Sequence, residues 1–395
     1  MSIAYRRALI GVVLVWLAPA APVSAQQPIA DVLSFLLTNQ AVPTGDFVKD
    51  AESSAVTREA LTRLLLVELT TLPLNSSSAA FTYRPNAALG TIQRGSESFG
   101  AFFTERSLTA GRRRGSIGMT VQSVQFTNLD QYDLRDGSFL VTANQFRDEP
   151  QPFDVETLRL ALASTTVTFA GNVGITDRLD LGVAVPIVRL TLEGSRVNTY
   201  RGARLLQATA VASTIGLADM AVRAKFRVSS SQSPTSLAVI GEVRLPTGRT
   251  EDLLGEGSAS GGGLLTASWQ PGRFSIDLNG GASGSTVRRA SRYGAAISFS
   301  ASPRVTLVSE LVGRRIGDLG RLTPSRVRHP TIIGVDTLRL VVAPGSTSTA
   351  AIVAGAKWNL LGTWLLTGNV SIPATQRGLR SRFVVTVGLD YAVGG

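Results

Sequence analysis

The 395-residue chain has no cysteine, which excludes structural disulfides, cysteine metal sites, a thiol nucleophile and a lipidated cysteine anchor. It has a single histidine, His329, in Arg326-Val327-Arg328-His329-Pro330. A lipase on a barrel wall needs a serine–histidine pair, so one histidine in a loop segment argues against an enzyme. Aromatic residues make up only 6% of the chain and charged residues 17%. After residue 25 no stretch approaches the ~18 continuous apolar residues of a membrane-spanning helix. A membrane β-barrel needs no such run, because only alternate residues face lipid.

What is present is alternation. In 178–191 the residues Leu179, Leu181, Val183, Val185 and Ile187 fall on one strand face, with Asp180, Gly182 and Ala184 on the other. The pattern recurs in Ala218–Val228, Leu237–Leu245, Phe274–Leu278, Trp364–Val370 and Phe383–Tyr391. The apolar faces carry few charges and the polar faces many. Short turns at Thr176-Asp177, 229–234, Gln270-Pro271-Gly272, Ser302-Pro303 and 360–362 alternate with long links near 129–156, 193–216, 247–260, 282–291, 313–348 and 372–380. Outer-membrane barrels have this asymmetry, with short periplasmic turns and long outer loops. The expected fold is therefore all-β: a transmembrane antiparallel up-and-down barrel over 78–395. Fourteen strands are counted, the first two at 79–84 and 99–106, with 12 the alternative; an even count places both barrel ends in the periplasm.

Residues 1–25 read as a cleaved secretory signal: Arg6 and Arg7, an apolar Ala8–Ala18, then small residues before Gln26. Residues 26–77 read as helical, with Ile29–Leu37 one helix and the segment from Phe47 to about Leu69 another, where Leu61, Leu64, Leu65 and Val67 recur at helical spacing. This segment is either a plug within the lumen or an amphipathic helix on the periplasmic rim.

The chain is basic, with 39 Lys+Arg against 28 Asp+Glu. The arginines are scattered and no zinc-finger spacing or stacking motif accompanies them, which argues against nucleic acid. Arginines in outer loops suit lipopolysaccharide phosphates. Asp180, Asp219, Arg223, Lys225, Arg227, Glu242, Arg244, Asp277, Arg304, Glu310, Lys357, Arg382 and Asp390 are expected to face the lumen, Arg223 opposite Glu242. They either fill the barrel as a paired network or form a charged constriction. Trp269, Trp358, Trp364 and Tyr391 are expected at the membrane interface. Leu253-Leu254 and Ile332-Ile333 are apolar pairs in outer loops that a solute would meet. Glu251, Asp252 and Glu256 lack a calcium-loop pattern, and the Gly255–Gly263 run lacks the Lys-Ser/Thr of a nucleotide loop, so neither a metal nor a cofactor is implied.

The last strand, with Thr386, Gly388, Tyr391 and Val393, resembles the signal read by barrel-assembly machinery. Gly174–Leu181, Gly216–Phe226 and Arg244-Leu245-Pro246-Thr247-Gly248 resemble the MetA-pathway phenol-degradation family of outer-membrane barrels and, more loosely, FadL-type transporters. That resemblance implies passive uptake of small hydrophobic or aromatic molecules. A non-conducting structural or partner-binding barrel is the alternative.

Overall fold

The computed structural model describes residues 27–37, 47–71, 76, 82–86, 91–94, 96–230, 233, 235–286, 288–329 and 332–394; the expected signal peptide lies outside them. Two helices come first, α1 (Ile29–Leu37) and α2 (Phe47–Thr70). Each buries one stripe: Ile29, Leu33 and Leu36 on α1, and Leu61, Leu64 and Leu65 on α2. Spacings of three and four residues place these side chains on one face.

A small hairpin follows, β1 (Tyr83–Asn86) paired with β2 (Thr91–Arg94) and separate from the barrel. The remaining strands are β3 (Gly115–Leu129), β4 (Tyr132–Asp133), β5 (Phe139–Phe146), β6 (Asp154–Gly174), β7 (Leu179–Tyr200), β8 (Ala203–Leu217), β9 (Met220–Arg227) and β10 (Thr235–Leu245). Then come β11 (Ser260–Trp269), β12 (Phe274–Gly284), β13 (Arg289–Ser302), β14 (Val305–Ile316), β15 (Arg321–Arg328), β16 (Val335–Ala343), β17 (Thr347–Asn359), β18 (Trp364–Pro373) and β19 (Leu379–Val393).

Twelve wall positions close the barrel: β8 and β9 share one position against β7, and direct pairing of β3 with β6 and of β14 with β17 leaves β4, β5, β15 and β16 in excursions beyond the ring. Every neighbouring pair is antiparallel, and β19 on β3, with Val387 opposite Val121, seals the ring. Closure leaves no edge strand with unpaired amides. The strand count is thus 12 rather than 14. The segment expected as a strand at 99–106 has no strand partner. Phe102 and Phe103 are adjacent there, which breaks the alternation a wall strand needs. Residues 83–84 of the other expected strand lie in the separate hairpin.

Side chains obey the inverted pattern of a membrane barrel. In β10, Ser236, Ala238, Ile240 and Glu242 are buried inside, while Leu237, Val239, Val243 and Leu245 are exposed outside. Leu181 and Val183 are exposed on β7 while Asp180 is buried. Trp269, Trp358 and Trp364 are exposed at the short-turn end, and Trp364 stacks on Tyr391 at 4.9 Å.

β6 and β7 run for 21 and 22 residues, about twice the 9–11 that a membrane crossing requires. They continue past the apolar belt at the long-loop end. There β16 pairs with β5, zipping two long excursions together. Inside this extension the inward residues change from polar to apolar: Thr168 and Ser164 give way to Leu162, Leu160 and Leu158. The main hydrophobic core therefore lies within the long-loop end of the barrel, where both helices pack.

Leu265, 65% exposed on the belt, tests the lipid-facing assignment. Leu265→Arg should destabilise the barrel in bilayers by about 2–4 kcal/mol if it lies near the midplane, measured by denaturant titration in lipid vesicles.

Candidate functional site

The chain's own N-terminal part packs inside the barrel at two levels. At the long-loop end, α1 packs against β7 and β8, and Leu36 occupies the space a side chain at Gly194 would need. The Ala30 amide donates to the Glu251 carbonyl at 2.9 Å. On α2, the Thr57 hydroxyl donates to the Leu340 carbonyl at 2.9 Å. Asp219 draws the loop after β10 inward, accepting from the amides of Gly248 at 3.1 Å and Glu256 at 3.0 Å. That loop buries Leu253 and Leu254 in the core, so this pair is packing material rather than a surface for a solute. Ile333 stays exposed at the tip of the β15–β16 hairpin.

The C-terminal end of α2 reaches furthest into the barrel. Glu68 is wholly buried and forms an ion pair with Arg314. Arg314 also donates to the Thr71 hydroxyl at 2.6 Å, and Arg244 donates to the Thr70 carbonyl at 3.2 Å. Carbonyls at a helix C-terminus are favourable partners for guanidinium groups. Gly378 lies against the Glu68 carboxyl with φ +69°, where any side chain would be both strained and in collision.

The second closure is the extended segment 98–111, which crosses the lumen nearer the short-turn end. Glu310 accepts from the amides of Phe102, Phe103 and Thr104, the last two at 3.1 and 2.9 Å. Lys357 donates to the Ala101 carbonyl at 2.6 Å. Asn279 accepts from the Glu105 amide at 2.6 Å, Ser268 from the Ser107 amide at 2.9 Å, and Asp180 from the Ala110 amide at 2.8 Å. A chain without secondary structure has unpaired amides, and the polar lumen wall supplies their partners. Gly100, at φ +72°, lets the Arg106 guanidinium fold back onto the backbone. Phe99 packs on Leu365 and Ala392, and Phe102 on Ala296, Val308 and Val353.

An ion-pair network joins this segment to the wall. Glu105 meets Arg223 at 3.2 Å and Lys225 at 3.3 Å. Arg223 and Glu242 are register partners on β9 and β10, 2.6 Å apart. Glu242 also takes Arg244 at 3.2 Å and Arg292 at 3.1 Å. Between the two closures lies a chamber of about 230 Å³, with Thr71 on one side and Phe103, Thr104 and Glu105 on the other.

The inward set thus includes Asp180, Arg223, Lys225, Glu242, Arg244, Glu310 and Lys357, each bonded as described. Asp277 is buried between the hydroxyls of Ser268 (2.5 Å) and Ser275 (3.1 Å). Asp390 lies over Gly118, where a side chain would collide with it. Arg227 is buried and donates to the Asp177 carbonyl at 2.8 Å. Two expected lumen residues are elsewhere. Arg304 sits exposed in the turn before β14, one residue ahead of the strand whose alternation would have turned it inward. Arg382 is exposed because register shifts between Arg380 and Val384 insert a bulge and reset the phase of β19.

Glu251 and Asp252 pair with Arg249, and Glu256 with Arg288 at 2.5 Å. His329 is buried in its hairpin, its Nδ1 accepting from the Ile332 amide at 3.0 Å. No group of three metal-ligating side chains is found among the described residues. The lumen segment 98–111 was missed by sequence reasoning. Its signal was the adjacent Phe102-Phe103 beside Gly100, a phase error unsuited to a wall strand.

No protein-family model matches the chain, and no curated protein matches it. Among solved structures, an outer membrane channel from Pseudomonas putida F1 is similar at TM-score 0.47 and 12% identity, covering 73% of this chain and 98% of that one. The transport unit of the autotransporter AIDA-I from Escherichia coli follows at TM-score 0.38 and 11% identity, covering 70% and 90%. A Pseudomonas aeruginosa FadL homologue aligns at TM-score 0.31 and 9% identity, covering 80% and 94%.

Glu310→Ala should release the lumen segment: losing charge-assisted bonds to three amides costs on the order of 3 kcal/mol, or roughly 100-fold in hydrogen exchange at Phe102–Thr104, with the wall strands unchanged. Burial pushes the Glu68 carboxyl above its ordinary value of 4.5, Arg314 opposing and Asp130 adding to the rise. The docked carboxyl therefore holds a proton more tightly than the released one, and docking of α2 weakens as pH rises through the raised value. Amide protection of α2 should increase as pH falls from neutral towards 4.5, and Glu68→Gln should abolish that dependence.

Proposed function

We propose that this chain is a passive outer-membrane channel or transporter for small hydrophobic or aromatic molecules, closed at rest by its own N-terminal segments. The single observation that carries this reading is a partly open chamber of about 230 Å³ between two closures that both come from the chain ahead of β3. A barrel needing only stability has no use for an internal cavity, because filled lumens are more stable than empty ones. The apolar belt is solvated by lipid and the short-turn end faces the periplasm, so the helical closure lies at the outer mouth. The exposed tryptophans then stand at the periplasmic interface, where ring and N–H meet different surroundings.

Neither closure is held by strand pairing: buried leucines seat the helices, while the end of α2 and segment 98–111 are held by hydrogen bonds and ion pairs. Such contacts can be exchanged for water without breaking the wall ladder. A solute entering from outside passes the α2 end, occupies the chamber, and leaves when segment 98–111 yields. The apolar part of the chamber, including Val124, Phe126, Ile240 and Leu264, supports a cargo with a hydrophobic body. This agrees with what the family resemblance implies. Lipopolysaccharide would meet the arginines of the outer excursions, and barrel-assembly machinery the last strand.

The test is conductance of refolded protein in planar bilayers, after heat-modifiable migration has established folding. The chain beginning at Gln26 should conduct weakly. Removal of 26–77 takes away only the outer closure and should raise conductance modestly. Removal of 26–111 takes away both and should give stable, large openings. A folded barrel that stays silent without 26–111 would leave the non-conducting structural reading in its place.

A further inference from the structure

We propose that the chamber is a binding site for a small organic monocarboxylate, its carboxylate seated on Arg244 and Arg292 and its apolar body against Ile240, Leu264 and Val312. The inference rests on the channel reading and names the class of solute.

Charge balance in the chamber carries it. Among the described residues lining the cavity there are six arginines, at 223, 244, 292, 314, 377 and 380, against two carboxylates, Glu105 and Glu242. Arg314 is answered by Glu68, and Arg223 by Glu105 and Glu242. Arg244 has a share of Glu242 together with the Thr70 carbonyl and the charge of Asp219, while Arg292 has only a share of Glu242. That carboxylate is saturated: Oε1 takes Arg244 at 3.2 Å and Arg292 at 3.1 Å, and Oε2 takes Arg223 at 2.6 Å and Arg292 at 3.2 Å. A carboxylate offers about four lone-pair sites, so Glu242 has none left for further donors. The Nε of Arg292 is buried without a hydrogen-bond partner. Two planar forks that share the crowded Glu242 carboxylate form an anion site, and a carboxylate matches their geometry with two coplanar oxygens.

Access follows the same residues. A second cavity, of about 50 Å³, shares Thr71, Glu242, Arg244, Arg292 and Arg314 with the chamber and reaches Ser260–Gly262 and Ser283 at the long-loop ends of β11 and β12. Arginine thus lines the way from the outer mouth, past the end of α2, into the chamber. The apolar wall chooses between kinds of anion. Inorganic phosphate needs donors all round, whereas Ile240, Leu264 and Val312 offer none. An aromatic ring or short alkyl chain bearing one carboxylate satisfies both walls.

Calorimetric titration of the refolded full-length mature chain in lipid nanodiscs, with sodium benzoate and its neutral isostere benzamide, decides the matter. Benzoate should bind about ten-fold or more tightly than benzamide, the scale of one charge-assisted hydrogen bond. That preference should be lost in Arg292→Gln and in Arg244→Gln, and kept in large part in Arg292→Lys. Arg292 is the safer site, because its side chain is 29% exposed and its change leaves the α2 contacts intact. Equal affinity for benzoate and benzamide, binding of neither, inorganic phosphate binding as tightly as benzoate, or an unchanged preference in Arg292→Gln would each overturn the proposal. Failure of the channel reading shows separately, as absent potassium chloride conductance after removal of 26–111.

Discussion

Everything in this molecule depends on pairing backbone amides where water is scarce. A strand surrounded by lipid cannot leave an N–H or a carbonyl open, so the sheet must close. Closure by β19 on β3 puts one residue of every two inside the ring. Those inner residues then need surroundings of their own. Near the short-turn end they are mostly charged or hydroxyl residues, and at the long-loop end Leu, Val and Phe predominate beside a buried polar group of Asp154, Glu156, Arg196 and Asn198. The chain answers each zone with a suitable filler. An irregular segment rich in unpaired amides crosses the polar zone, and two amphipathic helices enter the apolar one.

This division explains why the two closures differ in character. Segment 98–111 buries Phe99, Phe102 and Leu108, but its backbone is held by polar groups of the wall: by Glu310, Lys357, Asn279, Ser268 and Asp180. Buried ion pairs such as Glu105 with Arg223 and Lys225 add little net stability over an apolar filling, since desolvation offsets their attraction. The helical closure resembles a small soluble core built into the barrel mouth, where burial of leucines supplies the affinity. Its polar tip, Glu68 with Arg314, is the part that faces the chamber and the part sensitive to protonation.

Much of the wall was legible from the sequence because strand periodicity leaves a direct record. Phe274, Ile276 and Leu278 alternating with Ser275 and Asp277 say which face meets lipid as soon as a barrel is assumed. The pairing of Arg223 with Glu242 was readable because a single turn joins their strands, so counting outward from it sets the register. The errors arose where periodicity fails. Arg382 was misplaced because a bulge inserts residues without changing composition. Arg304 was misplaced because a turn residue next to a strand obeys no alternation. Residues 99–106 have the look of a wall strand because a short apolar stretch is alike whether it lines a barrel or crosses it. Leu253 and Leu254 were read as an outer surface because nothing local shows that Asp219, about thirty residues earlier, pulls their loop inward.

The sequence by itself determined a closed antiparallel barrel with an apolar outside, a polar inside, long loops at one end and helices ahead of the wall. It did so because these properties are written residue by residue, in periods of two and of 3.6. Only the tertiary structure decided that the wall has 12 positions, that the helices enter at the long-loop end, and that a second closure leaves a chamber between them. Those facts depend on contacts between residues far apart in the chain, such as Glu68 with Arg314 and Phe102 with Glu310. No local pattern encodes such contacts, because their partners are chosen by the space that ring closure creates.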